Sequence, residues 1–452
     1  MFSRRDLIKL ILPMIIQQIL AILVGTADSM MVSSAGEAAV SGVSLVGELD
    51  ALLVIAFSSL VTGGSVSVSH ALGRGDKKYG RECAKQLIYA ATGIALIITI
   101  FVGIFRSNIL NLLYGSADAA VLESANSYLA IMLLNFPLIA INNSGFALFR
   151  TVGDTITSLR LSIMENILNI IGNAIFIYGC GMGAAGAALG TLIARSVTTV
   201  LIMIKLLNRK NEIHIEKLLS YRPNISIIKS ILSVGVPHGI ENSMFQFGRL
   251  ATQMLISTMG TVGIAANTVA NTLGNFLYLP SSAIANATIT VVGRCYGAQE
   301  FDQAKKYART LIFWEYICMW GISALLCLFS RQIIGIYNLS AEGTALAVWL
   351  TIFHCICSSI IRPLAFTLPS VFKAAGDSKF SMVVSTISMW VVRVGLAYLL
   401  SPENITLFGR EIDCFGMGIA GVWVAMMFDW IVRATLFVVR FVRGTWLRTR
   451  NI

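Results

Sequence analysis

Charge is what this chain has least of: Asp, Glu, Lys and Arg fill 13% of its 452 positions, against roughly a quarter in soluble globular chains. Apolar residues fill 56% and the mean hydropathy is +0.77, so a water-soluble fold is excluded. Histidine is scarcer still, with four copies. None stands in zinc spacing to the eight cysteines (Cys83, Cys180, Cys295, Cys318, Cys327, Cys355, Cys357 and Cys414), which contain no C-x-x-C pair. They read as small apolar residues; only Cys180 and Cys414 fall near the outer surface, where a disulfide is the less favoured reading. A Walker loop, H-E-x-x-H and G-x-S-x-G are missing too, which leaves ATP-driven pumping and hydrolysis without a handle. No nucleophile and base constellation points to an enzyme, and no cofactor is expected.

Long apolar runs are what is there. A helix crosses the hydrocarbon in about 20 residues, and that ruler finds twelve spans: 8 to 32, 42 to 68, 87 to 105, 125 to 149, 160 to 180, 184 to 206, 230 to 257, 262 to 290, 310 to 330, 347 to 370, 381 to 401 and 416 to 441. Apolarity without strand-like alternation predicts an all-α membrane protein, because a helix satisfies its own backbone in lipid. Basic residues mark one side. Arg4, Arg5 and Lys9 precede span 1; Arg74, Lys77, Lys78, Arg81 and Lys85 follow span 2. Lys205, Arg209, Lys210, Lys217, Arg222 and Lys229 follow span 6, Lys305, Lys306 and Arg309 follow span 8, and Arg440, Arg443, Arg448 and Arg450 end the chain. The other side has only Arg106, Arg331 and Arg410, so a multi-pass cell-membrane protein with both termini cytoplasmic is predicted. The net charge of +11 is therefore topology, not a nucleic-acid surface. The opening "MFSRRDLIKLILPMIIQQIL" has too long an apolar stretch and no small-residue cleavage site for a signal peptide, and reads as a retained span.

The chain is written twice at an offset of about 224 residues. "HALGRGDKKYGRECAK" aligns with "RCYGAQEFDQAKKYAR", setting Gly73 over Gly297, Asp76 over Glu300 and Ala84 over Ala308; "FRTVGD" (149 to 154) aligns with "FKAAGD" (372 to 377), and Pro13 with Pro237. This predicts two six-helix lobes, 1–207 and 229–452, joined by a polar cytoplasmic linker over 208–228. Parallel duplication implies a pseudo-twofold axis along the membrane normal and alternating access to a central cavity, which is transporter architecture. "GMGAAG" at 181 matches G-x-G-x-x-G, yet it is answered by "GMGIAG" at 416, and both sit in outer turns without a βαβ context. They read as tight turns.

Against this apolar background, "LVGTADSMMV" holds an acid, Asp28, whose burial at mid-membrane costs about 2.5–3.5 kcal/mol. Gln17 lies eleven residues before it, on nearly the same helix face. Span 5 has a second polar stripe, Glu165, Asn169 and Asn173, at i, i+4, i+8, and span 6 opens with Thr191 in "GAALGTLIA". Acid, amides and hydroxyl are oxygen donors suited to a monovalent cation, or to a proton on the acid alone; interhelical hydrogen bonding is the competing reading for the amides and threonine. The second lobe differs: Asp28 maps onto Thr252 and Gln17 onto Glu241, with His238 and Arg249 on the same span 7, and span 10 adds His354 and Arg362. A Glu241 to Arg362 pair is the expected neutralisation, and Asp429 with Arg433 reads as an i, i+4 ion pair. Glu48 and Asp50 point to nearly opposite sides of span 2, so one of them lines the outer cleft.

The ordered set "LPMIIQQILAILVGTADSMMVSSAG", "GRGDKK", "FRTVGDT", "GMGAAGAALGT" and "FKAAGDS" resembles the multidrug and toxic compound extrusion family over essentially the whole chain. The resemblance implies twelve helices in two lobes and export of amphipathic, often cationic, small molecules in exchange for Na+ or H+. It also implies a coupling site on Asp28, Asn169, Asn173 and Thr191. Several members have an acid where Asn173 stands, so one carboxylate would serve here where they have two. Gln17, Glu48, Asp50, Glu241, Gln246, His354 and Arg362 are the candidates for the substrate cavity. Gln246 and Arg362 stand near positions where one branch carries acids, so a second-lobe cation site is not expected. The bilayer is the expected environment, and a monomer the expected state. The rival reading, a flippase for a lipid-linked sugar from the same superfamily, is disfavoured by twelve helices and the central acid.

Overall fold

The computed structural model describes residues 2–115, 117–216, 222–407 and 410–448. Of the residues invoked above, Lys217 and Arg450 lie outside them, as do 217–221 of the linker. The chain folds as long helices: α1 Arg4–Ser33, α2 Glu37–Gly73, α3 Lys77–Tyr114, α4 Ala119–Val152, α5 Thr155–Gly179, α6 Gly183–Leu207, α7 Ile225–Ser257, α8 Gly260–Gly297, α9 Phe301–Gly335, α10 Ala341–Ala374, α11 Ser378–Leu400 and α12 Ile419–Arg443. Eleven of these are long and apolar enough to cross a membrane; α7 has the length, but His238, Glu241 and Arg249 dilute its apolarity. The helices outrun the expected spans because a hydropathy ruler stops where residues turn polar, while the backbone hydrogen bonds continue. One short hairpin, β1 Asn404–Leu407 with β2 Arg410–Asp413, interrupts the helical pattern before α12.

Two compact units emerge. The first runs through Val236 and takes in Gly297–Gln299; the second holds Pro237–Tyr296 and continues from Glu300. In the first, the start of α7 lies so close to α2 that a Cβ on Gly63 would fall 2.1 Å from the Ile231 carbonyl oxygen. The Ser67 and Ser230 hydroxyls meet there at 3.1 Å. The linker before α7 is less free than its polarity suggests: Ile213 and Ile215 are buried in the α2–α3–α4 core, and Lys77 and Glu212 pair at 3.1 Å. The second unit buries Val422, Trp423, Met426 and Trp430 of α12 against α8 and α10. No disulfide forms among the eight cysteines, Cys180 and Cys414 included.

The repeated loop motifs fold as repeated turns. After α2 the Asp76 amide donates to the Ala71 carbonyl at 3.0 Å, and after α8 the Glu300 amide donates to the equivalent Cys295 carbonyl at 2.9 Å. Asp154 and Asp377 likewise donate to Phe149 and Phe372, at 2.8 Å each. Caps differ: Asp76 and Asp154 accept from the amides of Tyr79 and Thr157 to start α3 and α5, whereas Asp377 binds Arg440 at 2.6 Å.

Such a turn needs one residue with positive φ at the helix end. Gly75 supplies it at +77°, but its counterpart in the second copy is Gln299, at +62°. Gly75 has open space around its missing Cβ, so only backbone strain separates the two. Gly75→Gln should therefore cost about 1 kcal/mol and Gln299→Gly should gain a similar amount. Unfolding midpoints of the two detergent-solubilised variants, moving in opposite directions, check this.

Candidate functional site

The four residues expected to form one site meet within the first unit. Asn173 of α5 donates through Nδ2 to Asp28 Oδ1 of α1 at 2.8 Å, and more weakly to Asn169 Oδ1 at 3.4 Å. Asn169 donates to Thr191 Oγ1 of α6 at 3.0 Å, and Thr191 donates in turn to the Ala187 carbonyl at 2.9 Å. One continuous chain of hydrogen bonds thus crosses three helices. Asn169 and Asn173 are buried, Asp28 and Thr191 half-buried. The Asn173 Oδ1 has no partner, so the site retains an unused oxygen beside the carboxylate.

Local sequence explains the closeness. Asn173 ends the regular part of α5, and a π-turn, Ala174–Gly179, follows it. Such wide turns re-aim side chains and concentrate at functional positions. Gly172 faces Gly190 of α6: a Cβ on Gly172 would stand 2.9 Å from the Gly190 Cα. Without side chains at that crossing the helices approach backbone to backbone, which brings Asn169 and Thr191 into contact.

The i, i+4 stripe continues one turn along. Glu165 of α5 pairs with Arg195 of α6 at 3.7 Å, whereas among the described residues no basic nitrogen lies within 4.0 Å of Asp28. Arg195 escaped the sequence reading, although an arginine one turn beyond Thr191, inside an apolar run, was the available signal. Gln17 accepts from Ser158 at 3.4 Å, a tie between α1 and α5 three turns from Asp28. Of Glu48 and Asp50, Glu48 is exposed, while Asp50 is turned inward with a buried, unpartnered Oδ1.

In the second unit the expected Glu241 to Arg362 pair does not form. Glu241 binds Lys373 at 3.0 Å and accepts from Ser385 at 3.0 Å and Ser381 at 3.3 Å, while Lys373 also meets His238 Nδ1 at 2.9 Å. Lys373 belongs to "FKAAGD", and reading that segment as a loop signature hid it. Arg362 lies instead over the Tyr278 ring at 3.8 Å and the Phe366 ring at 4.6 Å. Buried His354 meets the Tyr278 hydroxyl at 3.1 Å, and Gln246 accepts from Arg249 at 3.5 Å. The Asp429 to Arg433 pair forms as the spacing predicted, at 2.7 Å. A further acid was missed: Glu315 of α9, in "LIFWEYICMW", is fully buried and accepts from Ser281. It carries the same signal as Asp28, a lone acid in an apolar run.

A family profile, MatE, matches residues 13–175 and again 237–399. The chain belongs to the MatE family. The two matched stretches are equal in length and begin 224 residues apart, so the profile finds the internal repeat independently. This MatE chain is 27% identical over 447 residues to the transporter YisQ of Bacillus subtilis, covering 98% of this chain and 95% of that protein. It is 25% identical over 450 residues to a "Probable multidrug resistance protein NorM" of Thermotoga maritima, covering 98% and 93%. In fold it is similar to a multidrug resistance MATE family transporter solved in an outward-facing conformation, with a TM-score of 0.88 at 22% identity over 98% of this chain and 96% of that one. It is thus a multi-pass membrane protein of a transporter family, with two-lobe structural relatives.

The glycine crossing gives a direct test of how the site is held. A Cβ on Gly190 would sit 2.3 Å from Asn173 Oδ1 and 2.8 Å from the Asn173 backbone nitrogen, and the second contact cannot be relieved by a side-chain rotation. Gly190→Ala should cost about 1–3 kcal/mol by overpacking. Gly25→Ala on α1, with nothing within 4 Å of the new methyl, should be neutral or slightly stabilising. Thermal unfolding of both variants in detergent compares them.

Proposed function

We propose that this MatE chain is a secondary antiporter that exports amphipathic small molecules in exchange for Na+ or H+. The observation that carries the reading is the Asp28–Asn173–Asn169–Thr191 chain of hydrogen bonds, an acid that among the described residues has no basic nitrogen within 4.0 Å and stands beside amide and hydroxyl oxygens. Its donor set fits a hard monovalent cation: one carboxylate to match one charge, amide and hydroxyl oxygens to complete the shell, and the unpartnered Asn173 Oδ1 ready to turn toward it. A proton would need the carboxylate alone. Either ion removes the cost of a bare charge in the membrane interior, so occupancy shifts the balance between conformations.

The two repeats, 1–207 and 229–452, are the bodies whose relative movement would give alternating access, with 208–228 as their connection. A monomer suffices, since each repeat brings its own buried polar cluster. The positive-inside bias of the basic loops supports a cytoplasmic position for both termini. A cationic substrate, as the resemblance implies, would find its countercharge at one of Glu48 and Asp50 of the first unit.

Transport in proteoliposomes, with a Na+ or an H+ gradient imposed one at a time, tests the proposal. Wild type should respond to one of the gradients, and Asp28→Asn should fall to the leak of protein-free vesicles. Asn173→Ala separates the ions: Na+-driven transport should be lost with the amide oxygen, whereas H+-driven transport should persist. An undiminished rate in Asp28→Asn would remove that carboxylate from the coupling.

A further inference from the structure

Three arginines of the second unit lie on one aromatic frame. Arg362 of α10 covers Tyr278 and Phe366; Arg433 of α12 stands 5.7 Å from the Phe366 ring and 5.6 Å from the Phe245 ring; Arg393 of α11 stands 5.8 Å from Phe245. Phe245 and Phe366 meet edge to face at 6.0 Å, so the series Tyr278–Arg362–Phe366–Arg433–Phe245–Arg393 is unbroken across α7, α8, α10, α11 and α12. Arg393 is nine-tenths buried and Arg433 almost wholly so.

The cations outnumber the acids. Arginine keeps its charge at any accessible pH. Asp429 neutralises Arg433 at 2.7 Å and also accepts from Ser388 at 2.5 Å. Glu315, the other acid facing this region, accepts from Ser281, and among the described residues no basic nitrogen lies within 4.0 Å of it. Even with both carboxylates ionised, three guanidinium groups exceed two acids by one. Lys373 and Glu241 cancel each other elsewhere in the unit, His354 adds no acid, and Arg249 lies one turn beyond Phe245. The donors are unspent too: Arg362 Nε, Arg393 Nε and Arg433 Nη2 are buried without a hydrogen-bond partner. Surplus charge and orphaned N–H groups both cost free energy in a low-dielectric interior, and one ligand chemistry relieves both.

We propose that this cluster is a binding site for an organic anion, a carboxylate or sulfonate on an aromatic body. The guanidinium groups of Arg362 and Arg393 would take the anionic oxygens in paired hydrogen bonds, and the Phe245 and Phe366 rings would take the aromatic body. Two local features support such a role. Arg362 immediately precedes the π-turn Pro363–Thr367, and Arg393 lies inside the π-turn Ser388–Val394, so both sit where helix register is adjustable. The proposal deepens the transporter reading by giving the sign of the charge on the cargo, and that sign is opposite to the one the resemblance implies.

A matched pair of probes decides it: 2-naphthylacetate and 2-naphthylethylammonium, with the same ring system and opposite charge. Equilibrium binding to the full chain in detergent needs no ion gradient. Wild type should prefer the carboxylate by about tenfold or more, the worth of a charge-assisted hydrogen bond. Arg393→Gln and Arg362→Gln should erase the preference, while Arg393→Lys should keep part of it. Equal or stronger binding of the ammonium probe, binding of neither probe, or a preference that survives both glutamine variants would each overturn the proposal. If the glutamine variants do not fold, the wild-type ratio and Arg393→Lys still decide. The two readings fail separately: a wild type that prefers the carboxylate probe but answers to neither the Na+ nor the H+ gradient in proteoliposomes sinks the antiport reading alone, and one that answers to a gradient without that preference sinks this one alone.

Discussion

A charge within hydrocarbon has to be answered inside the protein, because no water is at hand to answer it. That constraint orders the polar interior of both units. In the first, Glu165 is answered by Arg195; in the second, Glu241 by Lys373 and Asp429 by Arg433. What each unit leaves over is then informative. Among the described residues, the first keeps Asp28 and Asp50 with no basic nitrogen within 4.0 Å, and the second keeps Arg362 and Arg393 with no carboxylate oxygen within that distance. One duplicated frame has thus acquired unlike residual charge in its two copies, acidic in the first and basic in the second.

Backbone irregularity marks the same places. Among the described residues the π-turns are Ala174–Gly179, Pro363–Thr367 and Ser388–Val394; the first begins beside Asn173, the second beside Arg362, and the third contains Arg393. Each adds a residue to a helical turn and rotates the side chains beyond it relative to those before. Polar groups that an ideal helix would direct elsewhere are thereby brought onto a shared inner face. The Gly172–Gly190 crossing does the complementary work, bringing two backbones close enough for short amide and hydroxyl side chains to touch.

Much of this was legible in the residues. Apolar run length locates the helices, the offset repeat anticipates two matching stretches of the MatE profile, and i, i+4 spacing puts Asn169 and Asn173 on one face. Partner choice was less legible. Glu241 looked destined for Arg362, but a one-dimensional reading carries no information on which of several basic residues a helix crossing brings near. Lys373, hidden in a loop-like signature, lies 3.0 Å away and takes the carboxylate. The tie between Gln17 and Ser158, and the inward turn of Asp50, depend on helix rotation in the same way. Glu315 shows the converse, since its signal, a lone acid in an apolar run, was present and was passed over. The π-turns left no trace in composition, because a wide turn is imposed by packing more than by residue preference.

The two aspartates of the paired loop motifs carry different schedules for chain maturation. Asp154 caps its own helix through the Thr157 amide, so that corner is complete as soon as a few more residues exist. Asp377 is held by Arg440, 63 residues further along, and that corner stays unfinished until the last helix has been synthesised. The earlier half of the protein is therefore able to set at its corner while the ribosome is still at work, whereas the later half waits for its final segment before the matching corner closes.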